Sequence, residues 1–264
     1  LNLGDRAVVV TGAGSGIGAA LARRFADEGP RALVAADVDI DSASAVASQI
    51  GAEAIEIDVT DPAATLRLVD QVEDRFGPID LFCANAGIGF VGDEQTPPEA
   101  WDRMWQVNVM SHVHAARALV PRWVARGSGY FLSTASAAGL LTNLKAAQYS
   151  VTKHGAVAFA EWLSITYGDR GVKVSCLCPM GVKTPLLDSA EEFHTLLDPD
   201  AIEPEEVAEA VVAGLAEERF LILPHPEVER YLQNKANDYD RWIAGMRKLQ
   251  RSVFPTEGER REFV

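Results

Sequence analysis

Thr11-Gly12-Ala13-Gly14-Ser15-Gly16-Ile17-Gly18 stands between the apolar run Ala7-Val8-Val9-Val10 and the run Ala19-Ala20-Leu21-Ala22. That order is a strand turning into a helix through a glycine-rich bend. Gly12, Gly16 and Gly18 could supply positive backbone angles, close approach to a ligand and tight helix-on-strand contact. The unpaired amides that open the next helix would face an anion. A turn that merely joins two elements has the same composition, so it is the context that points to a dinucleotide. The spacing is Gly-x-x-x-Gly-x-Gly and not the commoner Gly-x-Gly-x-x-Gly. A triphosphate loop needs Lys and then Ser or Thr after its last glycine; Ile17-Gly18-Ala19 breaks that pattern and disfavours ATP hydrolysis.

At 264 residues and 48% hydrophobic content, the chain suits one large domain with a well-buried core. It opens at Leu1 without an initiator methionine, which leaves room for native residues before it. Neither a long uncharged apolar run nor a basic-then-apolar leader is visible, so neither a spanning helix nor a secretory signal is expected. A net charge of -14 argues against a broad nucleic-acid surface, which needs clustered cations. Cys83, Cys176 and Cys178 lie in strand-like surroundings without zinc spacing. They read as reduced core thiols, and the expected compartment is cytoplasmic.

Short apolar runs recur along the chain, separated by helical stretches. Strands are expected at Ala7–Val10, Ala32–Ala36, Ala54–Ile57, Ile79–Cys83, Tyr130–Ser133, Val172–Cys178 and Phe220–Leu223. Helices are expected from the glycine turn to Glu28, over Ser42–Ile50, from Pro62 to Phe76, from Pro98 toward Trp123, from Gln148 through Ile165 and from Glu205 to Leu215. Continuous apolar strands alternating with helices indicate a parallel sheet covered on both faces. Beyond Pro224, apolar residues from Val228 to Leu249 recur at three- and four-residue steps. This tail reads as an amphipathic helix packed on its own domain or on a partner subunit.

The chemistry-bearing residues cluster at expected strand ends. Asp37 follows the second strand, where a carboxylate can accept bonds from an adenosine ribose and repel a 2'-phosphate. It selects NAD over NADP; a solvated loop aspartate is the plainer reading. Asp58 and Val59 end the third strand, where a carboxylate and a small apolar wall could meet an adenine edge. Asn85-Ala86-Gly87 ends the fourth, where small residues leave room for a flat ring or simply turn the chain. Asn108 interrupts an apolar helical region, so its amide either bonds backbone as a structural device or holds a water. Tyr149 and Lys153 share a helix face one turn apart. An ammonium beside a phenol lowers the Tyr pKa from about 10 and suits it to proton exchange. Ser136 can approach that pair from the loop after the fifth strand and bond the substrate oxygen. Pro179-Met180-Gly181-Val182-Lys183-Thr184 follows the sixth strand, and Thr184 could reach a cofactor carboxamide or phosphate.

Taken together, the glycine turn, Asn85-Ala86-Gly87, Ser136 and the Tyr149/Lys153 pair closely resemble the short-chain dehydrogenase/reductase family, over about Leu3 to Leu223. The resemblance implies a doubly wound, Rossmann-type sheet of seven mostly parallel strands flanked by helices. One NAD-binding catalytic domain would span 1–264, with 225–264 as its helical C-terminal extension. It implies that Gly12, Ser15, Gly16, Ile17, Gly18, Asp37, Asp58, Val59, Asn85, Ala86, Gly87, Pro179, Val182 and Thr184 bind NAD together with Tyr149 and Lys153. Tyr149 would exchange the substrate proton, Lys153 would lower its pKa and hold the nicotinamide ribose, Ser136 would steady the substrate oxygen, and Asn108 would retain a relay water. No metal is needed. Met180 replaces the glycine common after the proline, which bears on loop shape and pocket volume. Phe90, Val91, Leu140, Leu141, Met180, Leu186 and Leu187 suggest an apolar secondary alcohol or ketone, with Phe193, Leu196 and Leu197 in a mobile wall over it. A polyol or sugar substrate and a catalytically silent NAD-binding protein are the alternatives. The resemblance further implies a homo-tetramer, with a dimer as the other option.

Overall fold

Apolar runs that the chain cannot leave in water become strands with both faces covered. The computed structural model describes residues 1–188 and 201–254. Its seven strands are β1 Ala7–Thr11, β2 Ala32–Asp37, β3 Glu53–Glu56, β4 Leu81–Ala84, β5 Gly129–Thr134, β6 Val172–Leu177 and β7 Leu221–Ile222. They form one sheet in the order β3-β2-β1-β4-β5-β6-β7. Every neighbouring pair is parallel, so the sheet expected to be mostly parallel is parallel throughout. The order reverses between β1 and β4, the kind of switch point at whose carboxyl-terminal edge open parallel sheets bind ligands.

Helices α1 Gly16–Ala26, α2 Ile40–Ile50, α3 Pro62–Phe76, α4 Pro98–Trp105, α5 Ser111–Arg126, α6 Ala138–Leu141 and α7 Ala147–Tyr167 follow in order. After them come α8 Pro185–Asp188, α9 Pro204–Ala216, α10 Glu227–Asn237 and α11 Tyr239–Val253. Pleating sends alternate strand residues to opposite faces. Val8, Val10, Leu81 and Leu132 pack with Leu21 and Phe25 of α1 and Val211 of α9. Val9, Phe82 and Phe131 pack with Val72 of α3, Leu119 and Trp123 of α5 and Leu163 of α7. Local chemistry sets the boundaries. Asp61 accepts from the Ala63 amide (2.8 Å) with Pro62 opening α3, and Glu203 and Glu206 form a reciprocal capping box on α9.

Differences from the sequence-based expectation have local causes. β4 starts at Leu81 and not Ile79, because the Ile79 backbone is taken by side chains: its amide donates to Glu73 (3.1 Å) and its carbonyl accepts from the Trp123 indole (2.8 Å) and from Arg126. The long helix from Pro98 is interrupted by a π-helical turn over Gln106–Met110. The tail is two helices, since Asp238 leaves helical geometry (φ -154°, ψ 93°) and caps α11 by accepting from the Arg241 amide at 2.9 Å. Among the described residues no helix is long and apolar enough to cross a membrane. Phe193, Leu196 and Leu197 lie outside the described residues.

Candidate active site

The turn after β1 is shaped by three different demands on glycine. Gly12 (φ +66°) and Gly16 (φ +50°) take the left-handed backbone that side chains disfavour. Gly18 is needed for space, since a Cβ there would overlap the Gly12 carbonyl oxygen. Ser15 precedes α1 without capping it through its side chain, which leaves the first-turn amides for a bound anion. Ile17 is half-buried against the core below the turn. Asp37 reaches the same turn: it accepts from the Gly14 amide at 2.8 Å and, through its other oxygen, from the Asp39 amide at 3.1 Å.

Thr11 ties this turn to the loop after β4. Its hydroxyl donates to the Cys83 carbonyl (3.1 Å) and accepts from the Asn85 (3.0 Å) and Ala86 (3.2 Å) amides. The Asn85 side chain returns a bond to the Thr11 carbonyl at 3.0 Å. A Cβ at Gly12 would stand 2.8 Å from the Ala86 Cα, so the two loops touch. Val59 packs on the core beyond β3, while the exposed Asp58 accepts from the Thr60 amide (2.9 Å) and hydroxyl (2.7 Å). Thr184 lies over the turn from the other side, its methyl 3.0 Å from where a Gly16 Cβ would be, and Val182 beneath it is buried. Uncapped helix amides, two left-handed glycines and a carboxylate on the turn form a donor and acceptor set that fits a dinucleotide. Among the described residues no cluster of three His, Cys, Asp or Glu could hold a metal.

The chemistry-bearing side chains meet where β5 and α7 converge. Lys153 is 3% exposed and donates from Nζ to the Thr134 carbonyl at 3.2 Å. Its Nζ lies 5.6 Å from the Tyr149 ring centroid, and 3.4 Å from where a Gly87 Cβ would stand. Burial lowers the Lys153 ammonium to about 8. The Tyr149 phenol lies beside the Ser136 hydroxyl, and its ring edge packs 3.0 Å from the Cβ position of Gly89. Burial pushes the phenol above its ordinary value, and the neighbouring Ser136 hydroxyl opposes that rise. This direction is opposite to the lowering expected from Lys153, whose proton donor is turned to Thr134. Ser136 also accepts from the Ala138 amide (3.1 Å) and makes a long bond to the Pro179 carbonyl (3.4 Å). Asn108 sits in the π-helical turn; its amide bonds both backbone groups of Ile88 at 2.9 Å and the Thr152 hydroxyl at 3.1 Å. Of the two readings left open for it, the backbone-bracing one is filled.

Apolar residues line one side. Leu140, Leu141 and Met180 pack with Val228, Tyr231 and Trp242, so the tail folds onto its own chain. The buried Lys235 of α10 fastens it by donating to the Leu140 carbonyl at 2.6 Å. Leu186 approaches Gly89 beside the Tyr149 ring, and Phe90 and Val91 continue that strip, half-buried. Sequence reasoning missed His225 and the long-range contacts of Thr11 and Lys235, each of which acts across a long separation in the chain. His225 accepts from the Met180 amide at Nδ1 (3.2 Å) and bonds the Gly181 carbonyl through Nε2 (3.1 Å).

The family model for short chain dehydrogenases matches residues 6–195. A 1-deoxy-11-beta-hydroxypentalenate dehydrogenase of Streptomyces exfoliatus is 35% identical over 253 residues, covering 92% of each chain. A meso-2,3-butanediol dehydrogenase of Serratia marcescens is 33% identical over 221 residues, covering 80% of this chain and 87% of that one. Among solved structures, a short chain dehydrogenase/reductase from Burkholderia phymatum in complex with NAD has a TM-score of 0.84 at 28% identity, covering 91% of this chain and 96% of that one. Agreement of this extent in both sequence and fold makes the chain a member of the short-chain dehydrogenase/reductase family of oxidoreductases.

Proposed function

We propose that the protein is an NAD-dependent dehydrogenase that interconverts a mainly apolar secondary alcohol and its ketone, with Tyr149 as the acid/base group. The observation that carries this reading is the meeting of Ser136, Tyr149 and Lys153 beside the Asn85–Gly87 loop. The dinucleotide would be held by Gly12, Ser15, Gly16, Ile17 and Gly18 at the phosphates, by Asp37, Asp58 and Val59 at the adenosine, and by Asn85, Ala86, Gly87, Pro179, Val182 and Thr184 toward the nicotinamide. Hydride transfer is the chemistry the bound nicotinamide supplies. Asp37 favours NAD, because its carboxylate would repel a 2'-phosphate.

In oxidation, Tyr149 takes the hydroxyl proton of the alcohol as a phenolate; in reduction it returns that proton as a phenol. Ser136 donates a hydrogen bond to the substrate oxygen as its charge changes. Lys153 favours the phenolate by its charge and holds the nicotinamide ribose, which requires its ammonium to swing from the Thr134 carbonyl. Asn108 Oδ1 keeps a second lone pair for a relay water after bonding Ile88. Leu140, Leu141, Met180 and Leu186 exclude water and favour an apolar skeleton. Likeness to a butanediol dehydrogenase supports a small diol as the second reading. A silent NAD-binding protein fits poorly with a complete Ser136, Tyr149 and Lys153 set.

The test is an alcohol panel with NAD+ and NADP+, run on wild type and Tyr149→Phe. Turnover of cyclic or aromatic secondary alcohols with NAD+ is expected, with a loss of about 10²- to 10⁴-fold in Tyr149→Phe and NADH binding retained. Near-normal turnover by Tyr149→Phe would sink the mechanism, and turnover of polyols alone would sink the substrate class. A homo-tetramer belongs to the same reading, supported by the exposed Val151, Trp162 and Ile165 of α7, and light scattering gives the stoichiometry. A cytoplasmic setting is supported by three buried free cysteines.

A further inference from the structure

Pro179 and Met180 share one peptide unit, and that unit is planar. Its carbonyl faces the Ser136 loop: it accepts from the Ala137 amide at 2.8 Å and from the Ser136 hydroxyl at 3.4 Å. Its N–H points the other way and donates to His225 Nδ1 at 3.2 Å. Accepting there requires a bare lone pair on Nδ1, so the ring hydrogen of the neutral imidazole is on Nε2 and is donated to the Gly181 carbonyl at 3.1 Å. The Gly181 carbonyl also receives the Ile202 amide at 3.2 Å, which pins the Gly181–Val182 peptide as well. His225 is 2% exposed between Pro224 and Pro226, just where the chain leaves β7 for α10.

The hydroxyl of Ser136 donates to the Pro179 carbonyl at 3.4 Å and lies beside the phenol of Tyr149. Tilting the Pro179–Met180 plane moves that carbonyl, and a donated N–H at one end of a peptide strengthens the carbonyl at the other as an acceptor. We propose that His225 is a positioning residue for Ser136, holding the Pro179–Met180 peptide so that the serine hydroxyl stays aimed between Pro179 and Tyr149. This rests on the reading above that Ser136 acts on the substrate oxygen.

Three variants separate the two ring bonds. His225→Leu removes both, His225→Asn keeps an acceptor near the Nδ1 position, and His225→Gln places its amide near the Nε2 position. Each is compared with wild type for kcat, KM, NADH binding by fluorescence and hydrogen exchange of the Met180 amide, in Ser136 and Ser136→Ala backgrounds. In His225→Leu, kcat is expected to fall about tenfold (about 1.4 kcal/mol) with KM for NAD+ nearly unchanged, and the Met180 amide to lose protection. His225→Asn recovers most of both, and in the Ser136→Ala background the His225→Leu loss shrinks to under about twofold. An equal loss in the Ser136→Ala background, or a Met180 amide equally protected in His225→Leu, overturns the proposal. If His225→Leu does not fold, His225→Gln carries the same comparison. The exchange readout needs no turnover, so a wild type inactive on the whole panel would sink the functional reading, whereas unchanged Met180 exchange would sink this one.

Discussion

Lys153→Met is expected to abolish turnover and yet stabilise the cofactor-free protein at neutral pH. Lys153 is 3% exposed, and its ammonium donates one hydrogen bond, to the Thr134 carbonyl at 3.2 Å. Burial lowers it from 10.5 to about 8. Since each tenfold loss of proton affinity is worth about 1.4 kcal/mol, carrying the charge into the fold costs about 3 kcal/mol. Below pH 8 folded and unfolded chains both bind the proton and the whole cost stands. Between pH 8 and 10.5 the folded chain releases it while the unfolded chain keeps it, so stability rises with pH. Methionine has a similar shape and no charge; after the lost hydrogen bond, worth about 1 kcal/mol, the variant gains about 2 kcal/mol at pH 7. That is about 6 °C in melting temperature for a chain of this size. Urea denaturation followed by circular dichroism, at pH 7 and at about pH 10.5, measures both proteins; titrations of other groups are common to them and cancel in the difference. The variant should be the more stable at pH 7 and lose or reverse that advantage at the alkaline pH. A variant no more stable at pH 7, with the same pH dependence as wild type, refutes the reasoning.

Gly18→Ala forces a methyl onto the Gly12 carbonyl; an overpacking cost of about 1 to 3 kcal/mol and NADH binding weakened about tenfold or more are expected, and unchanged melting and fluorescence titrations would contradict this. Asp37→Ala removes the carboxylate that bonds Gly14; the ratio of kcat/KM for NAD+ over NADP+ should fall about tenfold or more, and a constant ratio would remove Asp37 from cofactor selection. Asn108→Leu strands both Ile88 backbone groups; a loss of about 2 to 4 kcal/mol in urea unfolding is expected, and a neutral result would deny it the bracing role.

Features carried by local pattern are legible in the amino-acid sequence. The alternation of apolar runs with helical segments leads to the parallel sheet, and the Tyr149/Lys153 spacing puts both on one face of α7. Ser136 needs the fold to bring it to Tyr149; its place in the loop after the fifth strand permits that approach, and the resemblance makes it specific. Features carried by contacts between distant residues are not legible. A histidine between two prolines has no periodicity, and His225 acquires its partners only because β6 and β7 are neighbours. The π-helical turn around Asn108 is hidden because one extra residue barely disturbs an apolar stripe. Asp238 is hidden for the opposite reason: the tail keeps its period across the break, and only the cap geometry reveals two helices. The direction of the Tyr149 shift is missed because spacing brings an ammonium near a phenol without saying which acceptor it faces.

The Thr11 hydroxyl, with bonds to the Cys83 carbonyl and the Asn85 and Ala86 amides, makes the crevice a product of folding and not of ligation. Two loops that would otherwise lose their freedom when a guest arrives have lost it already, so association has little ordering entropy left to overcome. Calorimetry of dinucleotide association should then show a heat-capacity change set by the contact surface alone, while Thr11→Val, which keeps the shape and cuts the stitch, should add the signature of loops settling on the guest.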